Sequence, residues 1–359
     1  MSSLKIGIVG LPNVGKSTLF NALTDNAALA ANYPFATIEP NTGIVPIPDP
    51  RLEVLSKLYD TPKIVPATVT FVDIAGLVAG ASQGEGLGNQ FLANIRGCQA
   101  VCQVVRAFDN PDVQHVAGGA DPKRDIEIIN TELILADLQT LQRRLPRLEK
   151  ETKANPKLKP QLDSLRRVER LLDSGQPLSA DTDLNHDHLA DLQLLSSKPV
   201  IYVFNVDEQK LTDQKLQAEL SRLVSPAEAL FISAKLESEL RALDVTDRRE
   251  LLLSYGQEQS VLIQLIHAAY QTLGLQSFLT AGPKEVRAWT IKKGMTASQA
   301  AGVIHSDFQR GFIAAQVIAY GDLVAAGSEA AAKAAGKVRT EGKDYTMRPD
   351  DVVEFRFNI

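Results

Sequence analysis

The chain of 359 residues contains only two cysteines, Cys98 and Cys102, and no long apolar run. Two cysteines are too few for the disulfide framework of a small secreted domain. Because no His/Cys pair accompanies them to complete a zinc site, we interpret both as small buried side chains. No apolar stretch approaches the roughly 18 residues that a membrane span needs. Residues 1–5 lead directly into an apolar run, so we expect a cytoplasmic protein without a signal peptide.

An excess of positive charge is also missing, since the net charge is −5 at pH 7. This value argues against indiscriminate binding of nucleic acid by the whole surface, although it leaves room for a local basic patch. The apolar fraction of 44% and the charged fraction of 23% are ordinary for a globular protein. The length predicts two or three domains, each large enough for its own core.

A complete phosphate-binding loop stands near the start of the chain, where residues 10–17 are Gly-Leu-Pro-Asn-Val-Gly-Lys-Ser. An apolar run at 4–9 predicts a strand before the loop, and helical spacing predicts a helix after it. Gly10 and Gly15 allow the backbone N–H groups to turn toward phosphates, and the helix adds its positive dipole end. Lys16 can contact the β- and γ-phosphates, and the Ser17 hydroxyl can bind Mg²⁺. The sequence therefore predicts a site for a nucleoside triphosphate.

Two later segments stand where nucleotide-sensing switches would be expected. A Pro- and Gly-rich loop at 32–43 contains Thr37, whose hydroxyl is a candidate ligand of Mg²⁺. The predicted strand at 68–72 is followed by Asp73-Ile-Ala-Gly76, a D-x-x-G motif in which the carboxylate supports the metal and the glycine N–H senses the γ-phosphate.

The usual water-orienting glutamine is absent after this motif, because Leu77 occupies its position. Leucine cannot polarise water. His115 is the only histidine in the first half of the chain, and it follows the predicted strand at 99–105. It could orient water in place of the glutamine, and the alternative is a solvated loop histidine.

A helical hairpin of coiled-coil type is predicted from residue 125 to about residue 195, with a break at Asn155-Pro156 and Pro160. Between Arg143 and Arg170 there are ten Lys and Arg residues and four Asp and Glu residues, a local charge of +6. This charge suits contact with an RNA backbone, and the alternative is an ordinary solvated hairpin.

The loops that recognise the base in GTPases have counterparts here with altered residues. Asn205-Val-Asp-Glu208 follows a predicted strand at the place of N-K-x-D, and Ser233-Ala-Lys235 follows the next strand. Val206 replaces the lysine, and Glu208 replaces the aspartate that accepts hydrogen bonds from guanine. Mispaired polar groups discriminate strongly between bases, so the motif favours ATP, with Asn205 as the expected polar contact to the base. Asp207 leaves guanine recognition open as an alternative.

Motifs along the whole chain resemble those of the Obg-like ATPase (YchF) family, the ATP-preferring branch of the Obg group of P-loop NTPases. The similar segments are 10–18, 35–43, 73–78, 84–91 and 205–208, and in the C-terminal part 284–290, 305–312 and 341–345. The C-terminal segments resemble the TGS domain, a ubiquitin-like β-grasp module.

The resemblance implies a set of site residues. Those implied to bind the nucleotide are Asn13, Val14, Gly15, Lys16, Ser17, Thr18, Asn205, Val206, Glu208, Ser233 and Ala234. Ser17, Thr37 and Asp73 would hold Mg²⁺, and Lys16 and His115 are the candidate catalytic residues. Asn13 also matches an asparagine with which potassium-activated relatives hold K⁺.

The expected fold is α/β, a Ras-like P-loop NTPase domain with an inserted helical hairpin and a C-terminal β-grasp domain. The expected boundaries are 1–124 with 196–275 for the nucleotide-binding domain, 125–195 for the hairpin and 276–359 for the TGS domain. The leading functional hypothesis is a monomeric ATPase that binds the ribosome, as the large subunit or the 70S particle, and its RNA, without membrane association. The alternatives are a GTP-dependent assembly or transport factor and a nucleotide-sensing adaptor without meaningful hydrolysis.

Overall fold

The structure is a computed structural model, and it describes residues 4–30, 41–74, 87–108, 120–181, 183–184, 186–240 and 242–358. The strands are β1 (Lys5–Val9), β2 (Thr42–Pro46), β3 (Ile64–Val65), β4 (Thr68–Asp73), β5 (Ala100–Ala107), β6 (Val200–Val206), β7 (Glu228–Ile232), β8 (Leu275–Ala281), β9 (Val286–Lys292), β10 (Phe312–Ala319), β11 (Arg339–Glu341) and β12 (Asp351–Phe357). The helices are α1 (Lys16–Ala30), α2 (Pro50–Leu58), α3 (Leu87–Arg96), α4 (Pro122–Ala154), α5 (Lys159–Asp173), α6 (Gln214–Val224), α7 (Ala234–Leu240), α8 (Val245–Ser254), α9 (Val261–Thr272), α10 (Ala297–Ile304), α11 (Ser306–Arg310), α12 (Tyr320–Ala326) and α13 (Glu329–Ala334).

The chain divides into two compact units. The first unit comprises Leu4–Ile44 and Thr70–Ala269, and the second comprises Val45–Val69 and Tyr270–Ile359. The chain therefore crosses between the units after residues 44, 69 and 269. The sequence expectation assigned 45–69 to the nucleotide-binding domain, whereas contacts assign this segment to the second unit.

The first unit is built on a sheet in which the strand order is β2-β4-β1-β5-β6-β7. The neighbouring pairs β4–β1, β1–β5, β5–β6 and β6–β7 are all parallel. β1 and β5 are almost wholly buried, and both are mainly apolar, although β5 also buries Gln103 and Arg106. Since parallel strands end at the same edge, the carboxyl ends of β1, β4, β5, β6 and β7 lie along one side of this sheet.

The helical insertion has its own apolar core. α4 and α5 pack through leucines at helical spacing, among them Leu141, Leu148 and Leu165, which are at most 1% exposed. The predicted break is confirmed, because α4 ends at Ala154 and the side chain of Asn155 accepts from the N–H of Lys157 at 3.3 Å. After α5 the chain continues through short 3₁₀ turns at Leu178–Ala180, His186–His188 and Ala190–Leu192 rather than a longer helix.

A buried carboxylate fixes the point at which the insertion returns to the sheet. Asp137 of α4 accepts hydrogen bonds from the N–H groups of Leu195 and Ser196 at 2.8 Å and from the Ser196 hydroxyl at 2.7 Å. Burial raises the pKa of Asp137, and these hydrogen bonds oppose the shift.

The second unit contains a mixed sheet with strand order β11-β10-β12-β8-β9-β3. β8 and β9 form an antiparallel pair, β12 is parallel to β8, and β10 is antiparallel to β12. α10 covers one face, and its N-terminus carries a capping box formed by Thr296 and Gln299.

Segment 45–69 supplies α2 and the edge strand β3 to this sheet. β3 pairs in parallel with β9, and Leu52 and Leu55 of α2 are buried. Arg51 donates to the carbonyl oxygen of Pro349 at 2.8 Å and forms an ion pair with Asp350 at 3.0 Å.

The interpretation of the two cysteines as small buried side chains is confirmed. Both are free thiols inside the first unit, and burial raises the pKa of Cys102 to about 12. In the part of the chain that the structure describes, we find no helix with the length and apolar character needed to traverse a bilayer.

Candidate functional site

Several of the predicted site residues that the structure describes lie at the edge where the strands of the first sheet end. The phosphate loop follows β1, Asp73 ends β4, Asn205 lies near the end of β6, and Ser233 follows β7. The ladders align Ile8 with Asp73 and Asn205 with Ile232. Residues far apart in sequence are therefore neighbours along one edge, as expected for an open parallel sheet.

The phosphate loop has the backbone conformation that its sequence requires. Gly15 has φ = 95° and Asn13 has φ = 63°, both in the left-handed region. A Cβ on Gly15 would collide with the side chain of Asn205, so glycine is required by space as well as by conformation. α1 begins at Lys16, which directs the first N–H groups of the helix toward the loop.

Lys16 and Asp73 are brought together as an ion pair between the ammonium Nζ and the carboxylate Oδ1. Their side chains are 10% and 17% exposed, so both face a partly enclosed space. Ser17 and Thr18 are exposed on the first turn of α1. The predicted phosphate-binding lysine and the predicted metal-supporting carboxylate thus lie at one point, beside the helix N-terminus.

Asn205 links the phosphate loop to the loop after β7. Its amide nitrogen donates to the carbonyl oxygen of Val14, and its amide oxygen accepts from the N–H of Ala234, each at 3.0 Å. Val14 and Ala234 are themselves buried. These two contacts make Asn205 a bridge between the two loops. The sequence prediction that Asn205 contacts the base stays a prediction, and one hydrogen of its amide is not used by these two bonds.

The structure places the side chain of Val206 in the core rather than at the site. Val206 is 2% exposed and lies on the same face of β6 as Phe204 and Tyr202, because side chains alternate along a strand. Ser233 is also buried, and its hydroxyl caps α7 by accepting from the N–H of Leu236 at 3.2 Å.

Glu208 remains near the surface, and its carboxylate is paired with the ammonium of Lys235 at 3.2 Å. This hydrogen bond raises the pKa of Lys235. Sequence reasoning named Lys235 as part of the Ser-Ala-Lys motif but did not include it among the site residues. The Ser-Ala-Lys motif was the sequence signal by which Lys235 could have been included among the site residues.

Several predicted features lie outside the described residues. They are Thr37, the glycine Gly76 of D-x-x-G, Leu77 and His115. The proposed roles of these residues stay predictions.

The donors at the site are of the kind that Mg²⁺ prefers. The Ser17 hydroxyl and the Asp73 carboxylate are hard oxygen ligands, and Mg²⁺ in such sites takes few protein ligands and completes its shell with phosphate oxygens and water. Over the described ranges, no three or more His, Cys, Asp or Glu side chains gather as a metal cluster. Ser17 and Asp73 are the described residues that could hold Mg²⁺ together with phosphate oxygens of a nucleotide.

Comparison with known proteins agrees with this geometry. The "Ribosome-binding ATPase YchF" of Bacillus subtilis (strain 168) is 48% identical over 365 residues, covering 99% of this chain and 100% of that protein. The chain belongs to the YchF family. The "Obg-like ATPase 1" of Gallus gallus is 42% identical over 369 residues, with coverage of 99% and 93%.

The match to YchF proteins extends to the structure and to both parts of the sequence. The "Structure of the Schizosaccharomyces pombe YchF GTPase" aligns with a TM-score of 0.88 at 38% identity, covering 99% of this chain and 98% of that one. The YchF-GTPase_C family model, described as "Protein of unknown function (DUF933)", matches residues 275–358. The MMR_HSR1 model, described as "50S ribosome-binding GTPase", matches residues 5–138. The predicted family and fold class are confirmed.

Proposed function

We propose that this protein is a P-loop nucleoside triphosphatase that hydrolyses ATP to ADP and phosphate, prefers ATP to GTP, and binds the ribosome in a nucleotide-dependent manner. The main structural support for nucleotide hydrolysis is the ion pair between Lys16 and Asp73 beside the N-terminus of α1. The names of YchF relatives as ribosome-binding ATPases support the same activity and partner. A role on the ribosome implies a cytoplasmic location.

The chain's own residues account for phosphate binding. The loop at 13–18 would direct N–H groups at the triphosphate, and the dipole of α1 would add positive potential. Lys16 would exchange its contact with Asp73 for the β- and γ-phosphate oxygens. Ser17, Thr37 and Asp73 would hold Mg²⁺, which supplies positive charge against the charge that develops on the transferred phosphoryl group. His115 would orient water in place of the glutamine that Leu77 replaces.

The base-recognition loop supports ATP over GTP. Val206 is buried, so no lysine-like side chain covers the base plane from that position. The Oε1 atom of Glu208 contacts the ammonium of Lys235, which would compete with guanine for this carboxylate. The alternative, a GTP-dependent assembly or translation factor, rests on Asp207 as an acceptor and on the GTPase description of the matched family model.

The helical insertion supports contact with ribosomal RNA. Arg143, Arg147 and Lys150 lie at helical spacing on the exposed side of α4, opposite the buried leucines, and we call them the basic stripe. Arg144, Arg166 and Arg167, in contrast, form ion pairs with Glu151, Glu149 and Asp181 at 2.9, 3.0 and 2.7 Å. Among the described contacts, no ion pair involves the basic stripe.

Calorimetric titration with ATP and with GTP in the presence of Mg²⁺ tests the nucleotide preference. We expect ATP to bind at least tenfold more tightly, which is about 1.4 kcal/mol. GTP binding tighter by the same factor would support the alternative factor.

Phosphate release, measured with and without ribosomes, tests the enzymatic part. We expect Lys16→Ala to abolish turnover and His115→Ala to lower it while ATP affinity is kept. Wild-type turnover equal to that of Lys16→Ala under both conditions would indicate a nucleotide-sensing adaptor. Turnover that is the same in K⁺ and Na⁺ would remove the proposed K⁺ site beside Asn13.

A further inference from the structure

The carboxylate of Glu208 stands where the GTPase motif has the aspartate that accepts from guanine. In this chain it contacts the ammonium of Lys235 at 3.2 Å. Glu208 is 20% exposed at its side chain, whereas Lys235 is 74% exposed. Most of the Glu208 side chain is therefore covered, and its Oε1 atom is in contact with a cation.

The backbone holds these two side chains next to each other. Asn205 lies three residues before Glu208, and its amide oxygen accepts from the N–H of Ala234, the residue before Lys235, at 3.0 Å. The β6–β7 ladder also pairs Asn205 with Ile232. The ion pair thus spans the same two loops that the buried amide already joins, and it does not depend on a chance approach of two flexible segments.

Lys235 has a second, weaker partner on its own helix. The ammonium lies 3.9 Å from the carboxylate of Glu239, one turn further along α7. The closer contact is the one with Glu208, which also contributes most to the raised pKa of Lys235. Lys235 therefore stays charged at neutral pH and favours Glu208 over Glu239.

We propose that Lys235 is a specificity-determining residue, which excludes GTP by holding the Glu208 carboxylate that guanine would need. Guanine offers two donors, N1–H and the exocyclic amine, and a free carboxylate can accept both. Adenine has an acceptor at N1 instead of a donor and gains little from a carboxylate there. The contact between Glu208 and Lys235 should therefore lower the affinity for ATP only slightly. The inference rests on the proposed preference for ATP and names the residue that sets it.

The test is calorimetric titration of the full chain with MgATP and with MgGTP, using Lys235→Ala, Glu208→Gln and the double variant. An exposed ion pair is weak, so Lys235 competes only weakly with guanine for the carboxylate. We therefore expect Lys235→Ala to bind GTP about three- to fivefold more tightly than the wild type, which lowers the ratio of ATP affinity to GTP affinity by the same factor. In the Glu208→Gln background the same lysine substitution should leave the ratio unchanged, because the carboxylate is no longer there to be released.

Lys210→Ala is the matched control, since Lys210 is a neighbouring, partly exposed lysine that pairs with Asp207 at 3.0 Å. It removes the same charge, and we expect the affinity ratio to stay at the wild-type value. An equal change in both lysine variants would assign the effect to general charge, and a change in Lys210→Ala alone would make Asp207 the guanine acceptor; either result overturns the proposal.

The two levels of the hypothesis fail separately. If the wild-type protein binds GTP more tightly than ATP, the proposed function fails whatever Lys235 does. If it prefers ATP and Lys235→Ala keeps the wild-type ratio, the preference stands and Lys235 is not its determinant.

Discussion

At the scale of single residues, the Asn205 amide joins parts of the chain that lie far apart. It bonds Val14, which is 191 positions away, and Ala234, which follows the next strand. The sequence predicts that Asn205 belongs to a base-recognition motif, and that role stays a prediction. The sequence did not reveal the bridge, because a hydrogen bond over such a separation has no local pattern in the sequence.

We expect Asn205→Ala to lower the free energy of unfolding by about 3 kcal/mol, since it leaves a buried carbonyl and a buried N–H without partners. Nucleotide affinity should fall as well, because Val14 belongs to the phosphate loop. Urea unfolding and calorimetric titration measure the two effects.

Gln276→Ala serves as the control for this substitution. Gln276 is a buried amide in the second unit and donates to the carbonyl oxygen of Met347 at 2.7 Å. We expect this variant to lose stability while nucleotide affinity is retained. Unchanged affinity in Asn205→Ala would mean that the phosphate loop keeps its position without the amide.

At the scale of elements, α4 presents two kinds of arginine that the sequence alone could not separate. The count of basic residues predicted a charge of +6, but not which side chains are neutralised by carboxylates. The Arg144–Glu151 pair forms within α4. The pairs of Arg166 and Arg167 depend on the register between α4, α5 and the following turn, which the structure provides.

Replacing the basic stripe by Arg143→Gln, Arg147→Gln and Lys150→Gln should weaken co-sedimentation with ribosomes. If all three side chains contact phosphates, the plot of log binding constant against log salt concentration should become less steep, with the magnitude of its slope smaller by about 3. The matched triple of Arg144→Gln, Arg166→Gln and Arg167→Gln removes the same charge from paired side chains and should have a smaller effect. Equal losses from both triples would reject a specific role for the stripe.

Asp137 connects α4 to the start of β6, and its buried carboxylate makes that connection dependent on pH. Burial raises its pKa in the folded protein. Its contribution to stability is therefore fully present below the unfolded-state pKa and is lost as pH rises through the folded-state pKa. At pH 7 we expect Asp137→Asn to be about 2 kcal/mol less stable than the wild type, because its amide faces backbone donors.

The stability difference between wild type and Asp137→Asn should thus be larger at pH 4 than at pH 7, as measured by thermal unfolding. Asp163→Asn makes the same chemical change on the exposed side of α5 and should stay within about 0.5 kcal/mol of the wild type. A difference that grows as the pH rises would contradict the raised pKa.

Most elements of the first sheet and of the hairpin could be predicted because their apolar periodicity is strong and local. The strands β4 to β7 and the helix break at Asn155 are examples. The assignment of 45–69 could not be predicted in the same way. The apolar residues of α2 indicate that the helix is half-buried, but they do not indicate which of two cores it joins.

At the scale of the whole molecule, the second unit is assembled from two separate pieces of sequence. Residues 270–359 lack α2 and β3, so expressed alone they would expose the surface that Leu52 and Leu55 cover, at about 2 kcal/mol for each leucine. We expect this fragment to show no cooperative thermal transition by circular dichroism. Joining residues 45–69 to it through a Gly/Ser linker should restore one, and a cooperative transition in the isolated fragment would show that α2 is dispensable.

The discontinuity also decides what a single nick in the backbone would do. Cleavage after residue 269 leaves 45–69 on one polypeptide and 270–359 on the other, yet these pieces pair through β3 and β9 and through Arg51 and Asp350. The two halves would remain associated under native conditions and separate only in denaturant. Cutting at this site therefore yields a complementation pair, in which reassembly of the second unit reports that both halves have met.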